Sequence, residues 1–386
     1  MKLQLKPYLQ KLKQRYHLKD YKFTLVALVT AISIIGIFVV GSAQAAVQGK
    51  QIAGVVMGTC AMVVISLIDY KWVLNWYWPL YGLNIVLLLA VRFFGEKVNG
   101  ATRWLNLGFV QFQPSDLTKI ILILFFARFF MDREQQVNTK KTIIQAVALL
   151  LPSLILIYKQ PNLSNTICIA VLFCIILYLA GLSYKFIGTV LAIAIPTAAL
   201  FLSIVVQPNQ PFLKQYQQNR ILAWLEPEKY ATDEAYQQIN SVMAIGSGQL
   251  TGKGYNNNTT TSVKNGKFIS EPKTDFSFAI IGEDMGCVGF CVLIILLLLI
   301  VIECILIGVK AKDTAGRLIC GGVATLIGVQ TFINISVATQ IFPNTGISLP
   351  FVSAGVTSII CFYMGIGFVL NVGLQHNKYE CRRHKI

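Results

Sequence analysis

The chain has 386 residues, of which 55% are hydrophobic and only 13% charged. Soluble domains carry about 25% charged residues, so a soluble globular fold is excluded along with disorder, collagen and coiled coil, and the expected class is an all-α polytopic membrane protein. The formal net charge of +16 is first a signal of topology and of attraction to anionic membrane lipids, and it gives no nucleic-acid reading.

In chain order, a Lys-rich segment over 1–22 comes first, either amphipathic on the inner leaflet or a solvated stop signal. A span needs about 20 mostly apolar residues, and ten such runs follow, near 23–43, 51–69, 73–94, 115–131, 142–158, 163–182, 185–206, 277–309, 318–341 and 355–374. The first precedes Ala43-Gln44-Ala45, which imitates a signal-peptidase site, but its apolar run is longer than the about 7 to 15 residues of a cleaved signal, so it reads as an uncleaved span. Together 23–374 form one ten-helix membrane domain, followed by a basic tail over 375–386. More than half of the 33 lysines and arginines fall on the side of the N-terminus, which puts both termini in the cytoplasm.

Two outer segments, 95–114 and the large loop 207–276, are too long to be plain connectors. In the second, only Tyr255 to Lys267 has the Asn, Thr, Ser and Lys content of a flexible tip. The nine cysteines include no C-x-x-C pair and sit almost entirely in apolar runs, so neither a disulfide framework nor zinc is indicated. His17, His376 and His384 all lie in the terminal tails, which removes histidine-based metal sites and triads from the membrane body.

Chemistry concentrates in three clusters. The first runs from Asn99 through Arg103 and Trp104 to Gly108 and continues as Gln113-Pro114-Ser115-Asp116-Leu117-Thr118-Lys119. Ser115 can cap the fourth span and Asp116 complements its positive end. Lys119 lies about one turn inside, a costly depth that marks function unless the chain snorkels to the headgroups. Trp104, on spacing alone, is an interfacial-belt tryptophan.

The second cluster, Glu271-Pro272-Lys273-Thr274-Asp275-Phe276, runs straight into the eighth span. Asp275 at the membrane edge suits either a helix N-cap or a general base. Glu283 and Asp284, one to two turns further in, are adjacent acids that need partners. The third cluster, Phe342 to Gly355, has enough Pro and Gly to break a helix, and implies a re-entrant or cavity-lining loop. Between them, Ala244 to Gly254 is Gly-rich enough to cradle phosphate or to make a turn, without the Walker spacing.

The ordered set N-G-A-x-R-W, Q-P-S-D-x-x-K, A-I-G-S-G-Q-L-x-G-K-G, E-P-K-T-D-F and P-N-T-G-I-S-L-P-F resembles the SEDS family (shape, elongation, division and sporulation), over about 23–374. The resemblance implies a peptidoglycan glycosyltransferase that polymerises lipid II at the outer face of the bacterial plasma membrane beside a class B penicillin-binding protein. It matches the family's essential aspartate to Asp275, its loop tryptophan to Trp104 and its fourth-span lysine to Lys119. Arg103 and Lys273 are added as flanking cations on physical grounds, with Asp116 and Glu283 completing the substrate-binding set. Ile68-Asp69-Tyr70 and Leu80-Tyr81-Gly82 look like the elongation (RodA) branch, while Asn99-Gly100-Ala101 and Ile281-Gly282-Glu283 look like the division (FtsW) branch; the balance leans to elongation. Departures from the family pattern are Asn162 and Ser164 in place of Asp and Gly, Asp116 for Glu, Asn240 for Gln, and Ala354 and Val356 for Tyr and Gly.

For the implied reaction, Asp275 would take the proton of a sugar hydroxyl while a diphosphate departs with inversion. No cofactor is fixed by the sequence; the leaving charge calls for Arg103, Lys119 and Lys273 or for a divalent cation, Mg or Mn. Two rivals remain: a lipid II flippase using Lys119, Glu283 and Asp284, and a non-catalytic scaffold for the transpeptidase.

Overall fold

The computed structural model describes residues 21–98, 101–106, 108, 111–160, 162–207, 215–232, 235–255, 262, 268–269 and 272–375. The basic N-terminal stretch 1–20, the tail beyond 375 with its histidines, Asn99, Gly100, Glu271 and most of the Tyr255 to Lys267 tip lie outside the described residues.

Long helices follow the apolar runs. They are α1 (Phe23–Ala43) and α2 (Ala45–Leu67), a short α3 (Tyr70–Leu74), then α4 (Tyr77–Phe94). A small antiparallel sheet comes next, β1 (Glu96–Val98), β2 (Ala101–Asn106) and β3 (Gln111–Phe112), in that spatial order. The chain continues through α5 (Pro114–Met131), α6 (Lys140–Lys159), α7 (Leu163–Leu179) and α8 (Tyr184–Val205). Two shorter helices, α9 (Gln215–Leu225) and α10 (Tyr236–Ser247), occupy the large loop before α11 (Ser277–Val309), α12 (Thr314–Ala338) and α13 (Val356–Leu374). Seven helices among the described residues are long and apolar enough to cross a membrane.

Position in the bundle follows from which faces are apolar. A helix that is hydrophobic all round belongs in the interior. α5 is such a helix, buried along nearly its whole length, and its Phe125 and Phe126 meet Tyr81 and Phe173 with ring centroids 4.7 and 4.8 Å apart. α12 and α13 are also largely buried, whereas α2, α4 and α6 present Val56, Val64, Val86 and Ile144 outward. Outward-facing apolar side chains are what a lipid solvent requires, because every backbone polar group is already satisfied inside a helix. The first span is built into this body: Tyr363 donates to Ser33 Oγ at 2.8 Å, and a Cβ on Gly36 would stand 2.7 Å from the Phe351 carbonyl oxygen.

Antiparallel traversal sorts the connections to two ends. At one end lie Gln44 between α1 and α2, the β1–β3 hairpins, the α6–α7 junction, α9 and α10, the turn before α11, and the loop 339–355. At the other, Asp313 accepts from the Tyr70 hydroxyl at 2.8 Å and pairs with Lys71 at 2.8 Å, while Gln375 donates to Asp69 at 2.8 Å. Asn371 accepts from the Tyr70 amide and donates to the Ser66 carbonyl, which ties α2 and α3 to α13.

Candidate functional site

Asp275 stands half-buried in the turn 272–276 that feeds α11. The cap position belongs to Phe276, which has no capping side chain, so the N-cap alternative for Asp275 is not the one adopted. Its main chain is pinned instead: Asn334 of α12 donates its Nδ2 to the Asp275 carbonyl at 2.9 Å and to the Ile347 carbonyl at 2.7 Å. One residue earlier, Ser353 Oγ donates to the Thr274 carbonyl at 2.5 Å and contacts Ser277 Oγ at 2.9 Å. The Ala354 amide bonds the Lys273 carbonyl at 2.8 Å.

The loop 339–355 is non-helical between α12 and α13, exposed at Ile341 and Phe342 and half-buried to buried beyond them, as the Pro and Gly content requires. Gly346 has φ +71°, and a Cβ there would approach Asp275 Oδ2 to 3.3 Å; glycine both permits the left-handed turn and keeps space beside the carboxylate. Phe351 also takes a left-handed φ of 63° although it is buried, a conformation that survives only where surrounding contacts over-determine it.

The first cluster reaches the same end. Pro114 opens α5 at its first position and Gln113 is the cap residue, so Ser115 is inside the helix and does not cap it. Ser115 Oγ instead accepts from Asn165 Nδ2 at 3.2 Å and Gln113 Nε2 at 3.1 Å. Lys119 does not snorkel: it is 2% exposed, paired with Asp116 at 2.8 Å and donating to Asn165 Oδ1 at 3.3 Å. Burying a charge is tolerated only when it is paired and hydrogen-bonded, and both conditions are met. From α7, Ser164 Oγ donates to the Thr345 carbonyl. Polar contacts thus join Lys119 to Asn165, while the neighbouring Ser164 reaches Thr345, next to the Gly346 that lies beside Asp275. Asn162, the departure from the family pattern, accepts from the Asn165 amide at the start of α7.

Arg103 and Trp104 are adjacent on β2 and half-buried, and the pairing of Glu96 with Trp104 but Lys97 with Thr102 leaves Arg103 as the extra residue of a bulge, where simple strand alternation is interrupted. Lys273 Nζ donates to Gln44 Oε1 at 2.9 Å, joining the turn before α11 to the α1–α2 junction. Glu283 is not brought beside Asp275. It is 1% exposed and pairs with Lys253 at 2.9 Å, about two turns further along the chain, while Asp284 accepts from Ser42 Oγ.

The Gly-rich run 244–254 is committed to protein. Its Lys253 and Gly254 amides bond the Glu283 and Asp284 carbonyls at 2.8 and 3.0 Å, so it is a turn packed on α11 and these two amides are spent on helix carbonyls. Asn165 and Asn334 were not singled out in the sequence, and Gln44 and Ser353 entered only as members of longer motifs. The first two carried a usable signal, since an asparagine within an apolar helix needs a partner. Arg220 of α9, whose Nη1 reaches the Asn344 carbonyl at 3.4 Å, carried none beyond its charge.

Comparison with known proteins shows the family. Residues 17–378 match the family model for the cell cycle proteins FtsW, RodA and SpoVE. The peptidoglycan glycosyltransferase MrdB of Escherichia coli (strain K12) is 34% identical over 352 residues, 90% of this chain and 92% of the relative. A probable peptidoglycan glycosyltransferase FtsW of Trichlorobacter lovleyi is 29% identical over 378 residues, 94% and 96% of the two chains. A chain from a solved peptidoglycan synthase complex, described in terms of structural coordination of polymerization and crosslinking, superposes with a TM-score of 0.75 at 26% identity, covering 93% of this chain and 99% of its own. With the apolar helices that cross the membrane several times, these matches make the chain a multi-pass membrane protein belonging to the FtsW, RodA and SpoVE family.

Proposed function

We propose that the chain is a peptidoglycan glycosyltransferase that polymerises lipid II into β-1,4 glycan strands at the outer face of the bacterial plasma membrane. The match to MrdB over 90% of the chain supports the reaction, and identity of 34% to MrdB against 29% to the FtsW relative favours the elongation branch. A class B penicillin-binding protein is the partner, in keeping with the crosslinking role of the matched complex. The basic bias of the loops supports cytoplasmic termini, which puts Asp275 outside.

The observation that carries the mechanism is a half-buried carboxylate in a pinned turn, beside a glycine, at the same end of the bundle as Arg103, Lys119 and Lys273. Asp275 accepts the proton of the acceptor sugar's 4-hydroxyl as that oxygen attacks the donor's anomeric carbon. Undecaprenyl pyrophosphate leaves from the opposite face, so the centre inverts and no covalent enzyme intermediate forms. Arg103 and Lys273 face the developing charge, and Lys119, held by Asp116, contributes its field through a low-dielectric interior. Trp104 completes the substrate-binding set. A Mg or Mn ion is commonly held by one or two carboxylates, with phosphates and water filling its remaining positions. Among the described residues no group of three or more His, Cys, Asp or Glu side chains could hold such an ion, so its ligands would come mainly from substrate phosphates and water, and Asp275 keeps the role of base.

The rival flippase needs mobile charges along a path, yet Lys119, Glu283 and Asp284 are engaged with Asp116, Lys253 and Ser42. The test is polymerisation of labelled lipid II in detergent by the purified protein with its partner, with and without divalent metal. General-base help is worth about 10²- to 10⁴-fold, so Asp275→Asn should lose most glycan synthesis at unchanged expression. Near-normal chains from that variant would remove Asp275 from the mechanism, and wild-type protein that makes none would remove the polymerase.

A further inference from the structure

α11 is not one continuous helix. Gly286 has φ 63° and ψ −157°, which ends the helical ladder after residue 285 and restarts it beyond. A break at this depth frees amides and carbonyls that must be satisfied within protein. The 249–254 segment supplies the partners on both sides. The Cys287 and Val288 amides bond the Gln249 and Leu250 carbonyls at 2.9 and 3.2 Å, while Lys253 and Gly254 donate to Glu283 and Asp284. The fit requires glycine, because a Cβ on Gly248 would meet the Gly282 carbonyl and one on Gly252 the Asp284 carbonyl.

The short helix 277–285 is therefore a separate piece, hinged at Gly286, with Asp275 at one end and Glu283 near the other. We propose that Lys253 and Glu283 are positioning residues for Asp275: their ion pair, 2.9 Å long with Glu283 1% exposed, fixes the tilt of this short helix and so links the large loop to the reacting carboxylate. The nine residues 277–285 span about 13 Å at about 1.5 Å per residue. A tilt of about 10° at the hinge then moves the far end by about 2 Å. Misplacement of about 1 Å can cost about 10²-fold in rate. The main-chain bonds from Asn334 and Ser353 hold the upper end, and the ion pair acts with the Lys253 and Gly254 amides and Ser42 to fix the lower end, the second point that determines a direction.

This inference rests on Asp275 being the general base, and its test includes a measurement independent of turnover. Lys253→Met, Glu283→Gln, their double variant and Lys253→Arg are compared with wild type in the polymerisation assay and by hydrogen exchange of the 272–288 peptides. The double variant removes both charges, so it leaves no buried ion without its partner even where a single variant fails to fold. The expected result is a kcat lowered about 10- to 100-fold with KM changed less than about twofold, faster exchange confined to 272–288, and recovery in Lys253→Arg. Wild-type kcat per folded molecule in the double variant, with unaltered exchange, would overturn the proposal, as would a loss of yield or thermal stability alone. Faster exchange at 272–288 combined with an active Asp275→Asn would instead keep the hinge contact and reject the base.

Discussion

Lys119 and Asp116 show what a single pair of residues does at membrane depth. Both are almost wholly buried and they lie three residues apart on one helix, so each compensates the other's desolvation. Removing one partner leaves an orphan charge, at a typical cost of about 3–5 kcal/mol, whereas removing both is far milder. Lys119→Met should therefore lower the thermal midpoint in detergent more than the double variant Asp116→Asn with Lys119→Met. Polymerisation should be lost in both, because the cation is absent from each. A double variant that is stable and fully active would make the pair purely structural. An ionisable residue in an apolar helix announces its need for a partner, and Lys119 was legible for that reason, whereas Asp116 was legible as a charge suited to the start of the helix. The same logic reached Glu283 but attached it to substrate, because the rule demands a partner without naming one; Lys253 is 30 residues away in the chain.

At the scale of elements, helices lie over the apolar runs because length and apolarity set them, but seven of the described helices rather than ten are long and apolar enough to cross a membrane, the second begins at Ala45 rather than 51, and the run 73–94 is divided between α3 and α4. The break in α11 was not legible. Gly286 follows the acids Glu283 and Asp284 in an otherwise apolar span that also holds Gly282 and Gly289, and a glycine is tolerated in many helices. The glycines of 244–254 signalled close backbone approach without saying to what. Their packing yields a contrast that thermal unfolding in detergent can check. Gly252→Ala must place a Cβ against the Asp284 carbonyl at φ +80°, so it should lose well over about 1 kcal/mol and reduce folded yield. Gly49→Ala, within α2 and with no atom within 4 Å of the added Cβ, should be neutral or gain up to about 1 kcal/mol. Equal midpoints for the two variants would contradict the splice at Gly286.

Across the whole molecule the two ends have different tasks. One gathers Asp275 with the cations. The other closes with the clasp of Tyr70, Lys71 and Asp313. Burial acts to raise the Asp313 pKa, but the hydrogen bonds from Lys71, the Gly316 amide and the Tyr70 hydroxyl outweigh it and hold the carboxyl below its usual range. Burial, with the charge of Asp313 beside it, raises the Tyr70 hydroxyl, which stays protonated and donates. A depressed folded pKa gives stability that is complete above the unfolded value, about 3.9 for Asp, and is lost as pH falls through the folded one. The thermal midpoint of Asp313→Asn should accordingly lie below wild type at pH 7, and the gap should close below about pH 4. A gap that is unchanged at low pH would mean that the clasp does not depend on the ionised carboxylate.

The sequence by itself determined the membrane class, most of the apolar spans and the Pro- and Gly-rich interruption over 342–355. Each of these is set by local composition against a bilayer of fixed thickness. Only the tertiary structure decided which buried polar groups meet: Ser164 with Thr345 across 181 residues, Ser42 with Asp284 across 242, and Lys253 with Glu283 at the hinge. A buried polar side chain must find a partner, but its identity depends on how helices distant in the chain are packed together, and no local pattern encodes that.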